Sequence, residues 1–377
     1  MNTSRKHWIF RASLAVLIIV FLEAISYFAA RVLLNMGLMA GATDTANYQE
    51  YLTARDPVLG WPSPKEFGKG EFDITGSRIV PEFPETDHPA CVALFGDSFT
   101  WGDEVSAEHA YGNVLAKGLG CRVANFGIGG YGTDQAVIRY IQSTKGEEPI
   151  IVLGHFSDNI LRNVNRLRDF LAGGRFGFKP RFILGSDGVE VLPMPNISIE
   201  EYASISYTAV DLLPHEYFAP GTEGGPGIMR FPYSLAVLQA LRHYRISSAL
   251  AGIRPTYIPF YQAQHPSGAL QITEAIILEA VNVAHQRGQK LFLLLIPDLH
   301  DLIALQAGRD PSYLPLKVAL EKNGVRTIDS GVFIARAIGG RNVCEIYTRC
   351  GSSHFNPEGY SLLADAVLDQ LSALQKD

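Results

Sequence analysis

Hydrophobic and polar positions divide this chain into one long apolar run, a proline-punctuated stretch, and a repeating alternation of short apolar bursts with helical periodicity. The run from Trp8 to Ala30 is interrupted only by Arg11, Ser13, Glu23, Ser26 and Tyr27, and it is long enough to cross the hydrocarbon core of a bilayer as a helix. Its twelve Leu, Ile, Val and Phe residues contribute roughly −0.3 to −0.6 kcal/mol each to insertion, against about +3 kcal/mol for an acid near the centre, so insertion wins. Arg5, Lys6 and Arg11 lie at or before its start, which leaves the N-terminus in the cytoplasm and the remainder outside. Ala40 and Ala42 form an A-x-A pattern that suggests signal cleavage, but it lies too far past the apolar centre, and an uncleaved anchor is expected. Glu23 is the unusual residue of the run. It is read either as a contact with another membrane protein or as a group tolerated near the outer interface.

Beyond the anchor, a stem from Asn35 to about His88 carries Pro57, Pro62, Pro64, Pro81 and Pro84 and reads as irregular chain packed on a domain. Five apolar runs follow, at 91–95, 122–126, 150–154, 291–296 and 326–329, alternating with helical patterns at 108–117, 133–143, 273–286, 314–323 and after Pro357. Near-continuous apolarity at that length fits strands covered on both faces, and strand alternating with helix predicts a doubly wound, three-layer α/β sandwich around a central parallel sheet. Well over a hundred residues separate the third and fourth runs, far more than a strand-to-helix connection needs. This insertion includes an amphipathic helix expected near Ser234 to Leu250 and leaves from the sheet edge where such folds bind substrates. The expected organisation is 1–34 cytoplasmic tip and anchor, 35–88 stem, 89–160 first part of the core, 161–268 insertion and 269–377 second part of the core.

Composition narrows the function. In 377 residues, 47% are hydrophobic, 19% are charged and 36 are glycine, as in an ordinary globular chain. A formal charge of −6 leaves no basic excess for a phosphate backbone, so nucleic acid is excluded as a partner. The four cysteines show no CxxC pair and no metal-ligand spacing with histidine, and neither a metal nor a cofactor is indicated. Cys344 and Cys350 either close a small disulfide loop or stay as thiols, while Cys91 and Cys121 open two predicted strands and read as small core residues.

Three phrases carry chemistry. Gly96-Asp97-Ser98-Phe99-Thr100-Trp101-Gly102 directly follows the first strand as a tight turn with Ser98 at its apex, a placement that suits a nucleophile. Asn125-Phe126-Gly127-Ile128-Gly129-Gly130-Tyr131-Gly132 follows the second strand, and its glycines let backbone N–H groups approach an oxyanion. Gly127, Gly129 and Gly132 also satisfy G-x-G-x-x-G, but the nearest acids, Glu147 and Glu148, precede the next strand instead of ending it, which weakens a dinucleotide reading. His354-Phe355-Asn356-Pro357-Glu358-Gly359-Tyr360 precedes the last helix and offers a general base.

In this order, after these strands, the three phrases resemble the Ser, Gly and His blocks of the SGNH (GDSL-like) hydrolase family, over about 90–154 and from 290 onwards, and they look much like those of membrane-anchored bacterial members. The resemblance implies a flavodoxin-like fold with Ser98 as nucleophile, the N–H groups of Ser98 and Gly130 as oxyanion donors and His354 as base. Two positions depart from the family pattern. Ser157 stands where an Asn donor is usual, with Asn159 close enough to stand in, and Gly351 occupies the place of the acid three residues before the histidine. Glu345, Asp329 or a backbone carbonyl is then left to orient His354. The resemblance implies a membrane-anchored serine esterase or acyltransferase that forms an acyl-serine on ester-linked acyl groups, acetyl above all, of a cell-envelope polysaccharide, exopolysaccharide or small ester. The alternative is a catalytically impaired domain that binds or assembles polysaccharide. The expected location is the cytoplasmic membrane, single-pass through residues 8–30, with the catalytic domain on the periplasmic or extracellular side and another membrane protein as a candidate partner.

Overall fold

The five apolar runs do form one parallel sheet. The computed structural model describes residues 3–41, 43, 45–86, 88–143, 147–172, 177–186, 188–351 and 354–373; Ala42 of the A-x-A pattern lies outside them. Strands β1 (Val92–Phe95), β2 (Val123–Asn125), β3 (Ile150–Phe156), β4 (Lys290–Ile296) and β5 (Arg326–Asp329) lie in the order β2-β1-β3-β4-β5. All neighbours are parallel. That order is the flavodoxin-like one, and its reversal beside β1 creates a crevice at the carboxyl ends of β1 and β3.

Helices cover both faces because the strands are apolar on both. Val92 and Leu94 of β1 join Val152, Phe292, Leu294 and Ile328 in a core closed by Tyr111, Leu115, Ile334, Leu363 and Val367. These closing residues belong to α2 (Tyr111–Leu119), α8 (Ser330–Ile338) and α9 (Pro357–Ala373), which pack together with α6 (Leu299–Gln306) on one face. On the other face lie α3 (Thr133–Ser143), α5 (Ala269–Gln286) and α7 (Leu314–Lys322). Two short helices, α1 (Ser98–Trp101) and α4 (Asn159–Arg162), follow β1 and β3 directly at the crevice. The sequence pattern gave no sign of α6 and α8, because each begins within three residues of a strand end and has no linker to mark it.

The chain divides into two compact units that cut across the expected boundaries. One comprises residues 51–168, 176–195 and 257–377, and the other 1–50, 169–175 and 196–256. The stem after residue 51 belongs with the sheet because it is pinned there: the Arg78 N–H donates to Asn125 O at 2.7 Å, and Val80 enters the core. The first part of the insertion also stays with the sheet. Its antiparallel hairpin, Arg181–Gly185 with Gly188–Leu192, follows Lys179, whose ammonium pairs with Asp134 of α3 in full burial.

In the other unit, the N-terminal helix runs from Thr3 to Asn35, and over 6–35 it is long and apolar enough to cross a membrane. A two-residue strand, Met39–Ala40, pairs in parallel with Gly227–Ile228. Helix Tyr233–Ala240 packs Ala236 and Ala240 against Ala30 and Met39. The amphipathic helix expected from Ser234 to Leu250 is therefore two helices, Tyr233–Ala240 and Tyr244–Leu250. It breaks at His243, which caps the second by accepting from the Arg245 N–H. Glu23 has a partner within its own chain, accepting from the Tyr233 N–H at 2.6 Å and from the Ser234 N–H and hydroxyl.

Both cysteine pairs are disulfides, Cys91–Cys121 and Cys344–Cys350. The reading of Cys91 and Cys121 as separate core residues is corrected by the strand register. Val92 sits beside Val123 in neighbouring parallel strands, which brings Cys91, one position before the first, near Cys121, two positions before the second, with a Cα separation of 6.2 Å. Two disulfides fit an oxidising compartment. Replacing Cys91 and Cys121 together by Ala releases a loop spanning 30 positions. On chain-entropy grounds this should lower unfolding free energy by about 3–4 kcal/mol, read as a drop in the urea midpoint, with the m-value rising as the unfolded chain expands.

Candidate functional site

The crevice beside β1 gathers residues from all three chemical phrases. Directly after Phe95, Gly96 and Asp97 turn the chain into α1, and the buried Asp97 carboxylate caps it by accepting from the Phe99 N–H at 3.0 Å. Ser98 is the first helical residue and keeps 6% of its surface exposed. Gly127 is demanded by close approach, since a Cβ there would lie 2.4 Å from the Trp101 backbone nitrogen.

Two clamps from the stem fix the turns. The buried Arg78 guanidinium donates to Trp101 O at 2.8 Å, Gly102 O at 2.7 Å and Val105 O at 2.8 Å, so it holds both the end of α1 and the loop beyond it. The Trp61 indole N–H donates to Gly129 O at 2.9 Å, while the Tyr131 hydroxyl donates back to Trp61 O at 2.5 Å. In a trans peptide the N–H points opposite the C=O. Holding the Gly129 carbonyl therefore fixes the direction of the Gly130 N–H, in a glycine whose φ is 81°.

His354 sits on the loop before α9, which is held by Asn356. The Asn356 carboxamide donates to Glu345 O at 2.6 Å, and its backbone N–H donates to Ile346 O at 2.9 Å. The imidazole lies over Phe99 with ring centroids 4.8 Å apart. Its Nδ1 is 3.4 Å from Glu104 Oε1, and its Nε2 is 4.0 Å from Asp103 Oδ2. Glu104 has φ of 67°, a left-handed conformation in which a non-glycine residue is strained. The loop after α1, clamped by Arg78, thus presents two acids to His354. Burial raises the Asp103 carboxyl above its ordinary range, and the facing His354 draws it back down.

Ser98 and His354 line one cavity of about 270 Å³ together with Phe99, Phe156, Arg162, Asp298 and His300. Arg162, at the end of α4, donates to Tyr131 O at 2.8 Å and pairs with Asp97 at 3.4 Å and Asp158 at 3.2 Å. Burial pushes the Asp97 carboxyl up, against the pull of Arg162. His300 pairs with Asp298 at 3.3 Å, and that hydrogen bond raises its pKa.

Several expected site residues fall elsewhere. Ser157 is fully buried and donates to Asp301 and to Ile296 O, so its hydroxyl is not delivered to the cavity. Asp301 draws it away because that carboxylate sits at the start of α6, just beyond the neighbouring strand β4. Asp329 caps α8 and accepts from the Tyr313 hydroxyl at 2.7 Å, and Glu345 pairs with Arg341 on the surface. Neither orients His354. Asn159 is fully buried, neither atom of its carboxamide meets hydrogen-bond geometry, and its electrostatic influence falls on Asp97. Sequence reasoning missed Glu104, Arg162 and the Asp298–His300 pair. Each lies within eight residues of a predicted strand end or of Ser98, on the edge where substrate loops emerge. Among the described residues, no group of three or more His, Cys, Asp and Glu is gathered to hold a metal ion.

Behind the site, His155 holds the turn after β3. The Tyr261 hydroxyl donates to Ser157 O at 2.8 Å and so must accept from His155 Nε2 at 2.9 Å, which leaves Nδ1 to accept from the Thr133 hydroxyl at 2.7 Å. The ring is neutral, since burial lowers its pKa to about 3.

No protein-family model matches the chain. No curated protein matches it either. Among solved structures, it is similar to a protein assigned to the G-D-S-L lipolytic family from Desulfitobacterium hafniense DCB-2, at 11% identity and TM-score 0.35, over 74% of this chain and 97% of that one. It is similar to a catalytic mutant of an acetylxylan esterase from Geobacillus stearothermophilus, at 10% identity and TM-score 0.39, over 76% and 95%. A two-domain esterase active on acetylated mannans is similar at 10% identity and TM-score 0.37, over 76% of this chain and 50% of that one.

The buried imidazole makes stability depend on pH. Unfolded, His155 takes up a proton near pH 6.5; folded, it stays neutral down to about pH 3. Stability should therefore fall as pH drops through that window, with this group contributing about 1.4 kcal/mol per pH unit. Urea unfolding of His155→Gln between pH 4 and 7 should show a shallower slope than the unsubstituted protein.

Proposed function

We propose that the chain is a membrane-anchored serine esterase or O-acyltransferase of the SGNH type, with Ser98 as nucleophile, His354 as base and Glu104 as the acid that orients it. The observation that carries this reading is the meeting of Ser98 and His354 in one cavity with a carboxylate 3.4 Å from His354 Nδ1. In this arrangement Nδ1–H donates to Glu104, and Nε2 is the atom that takes the Ser98 proton. The acid missing from the C-terminal phrase, where Gly351 stands, is supplied from the loop that follows the nucleophile.

The Ser98 oxygen attacks the acyl carbon while its proton passes to His354 Nε2. The oxyanion so formed is met by the N–H groups of Ser98 and Gly130. Arg162 adds a fixed positive charge beside them. Collapse of the intermediate expels the alcohol, which takes the proton back from His354, and leaves Ser98 acylated. Water or a sugar hydroxyl, deprotonated by the same imidazole, then receives the acyl group.

The helix at 6–35 serves as an uncleaved anchor. By the positive-inside rule it leaves the catalytic unit on the periplasmic or extracellular face of the cytoplasmic membrane. There, acetylated envelope polysaccharide or exopolysaccharide is the substrate class we assign, and both disulfides suit that compartment.

Full-length protein in detergent should release acetate from an acetylated polysaccharide or an aryl acetate, or transfer it to a glycan hydroxyl, with all activity lost in Ser98→Ala. Glu104→Gln should lower kcat/KM on the order of 10²- to 10⁴-fold, as expected when a histidine loses its orienting acid, while Glu345→Gln should leave it unchanged. Glycan binding that persists in Ser98→Ala without any turnover by the unsubstituted protein would instead favour the binding or assembly role.

A further inference from the structure

The anchor helix does not stand alone in its unit. Arg11 and Arg31 bracket its apolar centre, twenty positions apart, which at helical rise is about 30 Å, the thickness of the hydrocarbon core. Glu23 is eight positions before Arg31, about 12 Å below the outer boundary. Its carboxylate accepts from the Tyr233 and Ser234 N–H groups and from the Ser234 hydroxyl, at the first turn of helix Tyr233–Ala240. That helix start therefore sits at the depth of Glu23. The helix has eight residues, about 12 Å of rise. It packs Ala236 and Ala240 against Ala30, with Leu33 and Leu34 beside them, so it climbs alongside the anchor to the level of Arg31.

The rest of its surface matches that position. Phe231 at the turn below it is 71% exposed, and Leu235, Leu238 and Leu241 are 55%, 58% and 45% exposed. Water would penalise such a run of large apolar side chains on one short element, whereas acyl chains would not. Arg242 follows the helix, at the level of Arg31, where a guanidinium meets head groups. Arg230 precedes the turn and has a side chain long enough to reach toward the same level.

We infer that Phe231, Pro232 and helix Tyr233–Ala240 form a membrane-embedded wedge in the outer leaflet, its free face contacting lipid acyl chains and its N-terminus capped by Glu23. This rests on the anchor reading above. It also explains an acid within a membrane span: the Glu23 carboxylate and the unsatisfied N–H groups of a helix start, each costly in hydrocarbon, satisfy one another.

The four native cysteines are all paired, so an added cysteine labels singly. Full-length variants Leu22→Cys, Leu235→Cys and Leu184→Cys, carrying an environment-sensitive fluorophore, would be reconstituted in phosphatidylcholine/phosphatidylglycerol vesicles with nitroxide-labelled acyl chains. Leu22 lies in the anchor, and the exposed Leu184 lies in the unit that holds the sheet. The wedge predicts that the label at 235 loses most of its emission, as the label at 22 does, while the label at 184 keeps it. Quenching at 22 but not at 235 would overturn the wedge and leave the anchor standing, with a second protein as the cover of that face. Absence of quenching at 22 would overturn the anchor itself, and the wedge with it.

Discussion

The site depends on how the chain before the first strand grips the two turns that follow β1 and β2. Arg78 holds the carbonyls that end α1 and begin the acid-bearing loop, and Trp61 holds the Gly129 carbonyl. The first contact places Ser98, Asp103 and Glu104 as one rigid element. The second aims the Gly130 N–H by turning its peptide plane. Between the two turns there is no room for adjustment, since Gly127 lies against the backbone of Trp101 so closely that even a methyl group is excluded. A guanidinium held by three carbonyls and the Glu71 carboxylate, and a peptide locked by an indole, are preorganised dipoles of the kind an oxyanion site would require. The stem after residue 51 thus belongs to the architecture of the candidate site.

The parts of this arrangement that were legible in the sequence are those set by local chemistry. Five bursts of apolar residues reported strands buried on both faces, and Ser98, Gly130 and His354 were marked by the turns that carry them. What escaped depended on contacts across the fold. Glu104 carries no local signal; it becomes a partner of His354 only because α9 returns the last loop to the first strand, 250 residues away in sequence. Ser157 looked like a donor because of its position after β3, but the buried Asp301 beyond the next strand takes its hydroxyl. The Cys91–Cys121 disulfide depended on the two strands being parallel neighbours whose starts lie together, and strand pairing is not written in either strand alone. The two compact units draw on the stem and the insertion in parts, and a proline-rich stem and a long insertion do not announce which core each part will join.

Glu23 shows the same logic in the other unit. Read along one helix it is a charge out of place, and its cost has no visible return. In three dimensions it closes the open end of a second helix that carries apolar side chains on its free face. The carboxylate and the first-turn N–H groups satisfy one another, and the acid that looked out of place supports a second element.

The central claim is that Ser98 is a working nucleophile activated by His354. The most direct test is intact-mass measurement of fluorophosphonate labelling on the full-length protein in detergent, with Ser98→Ala and His354→Ala alongside. The account predicts a single adduct that is absent in Ser98→Ala and greatly slowed in His354→Ala. A folded protein that takes no adduct, or one whose adduct persists in Ser98→Ala, would contradict it.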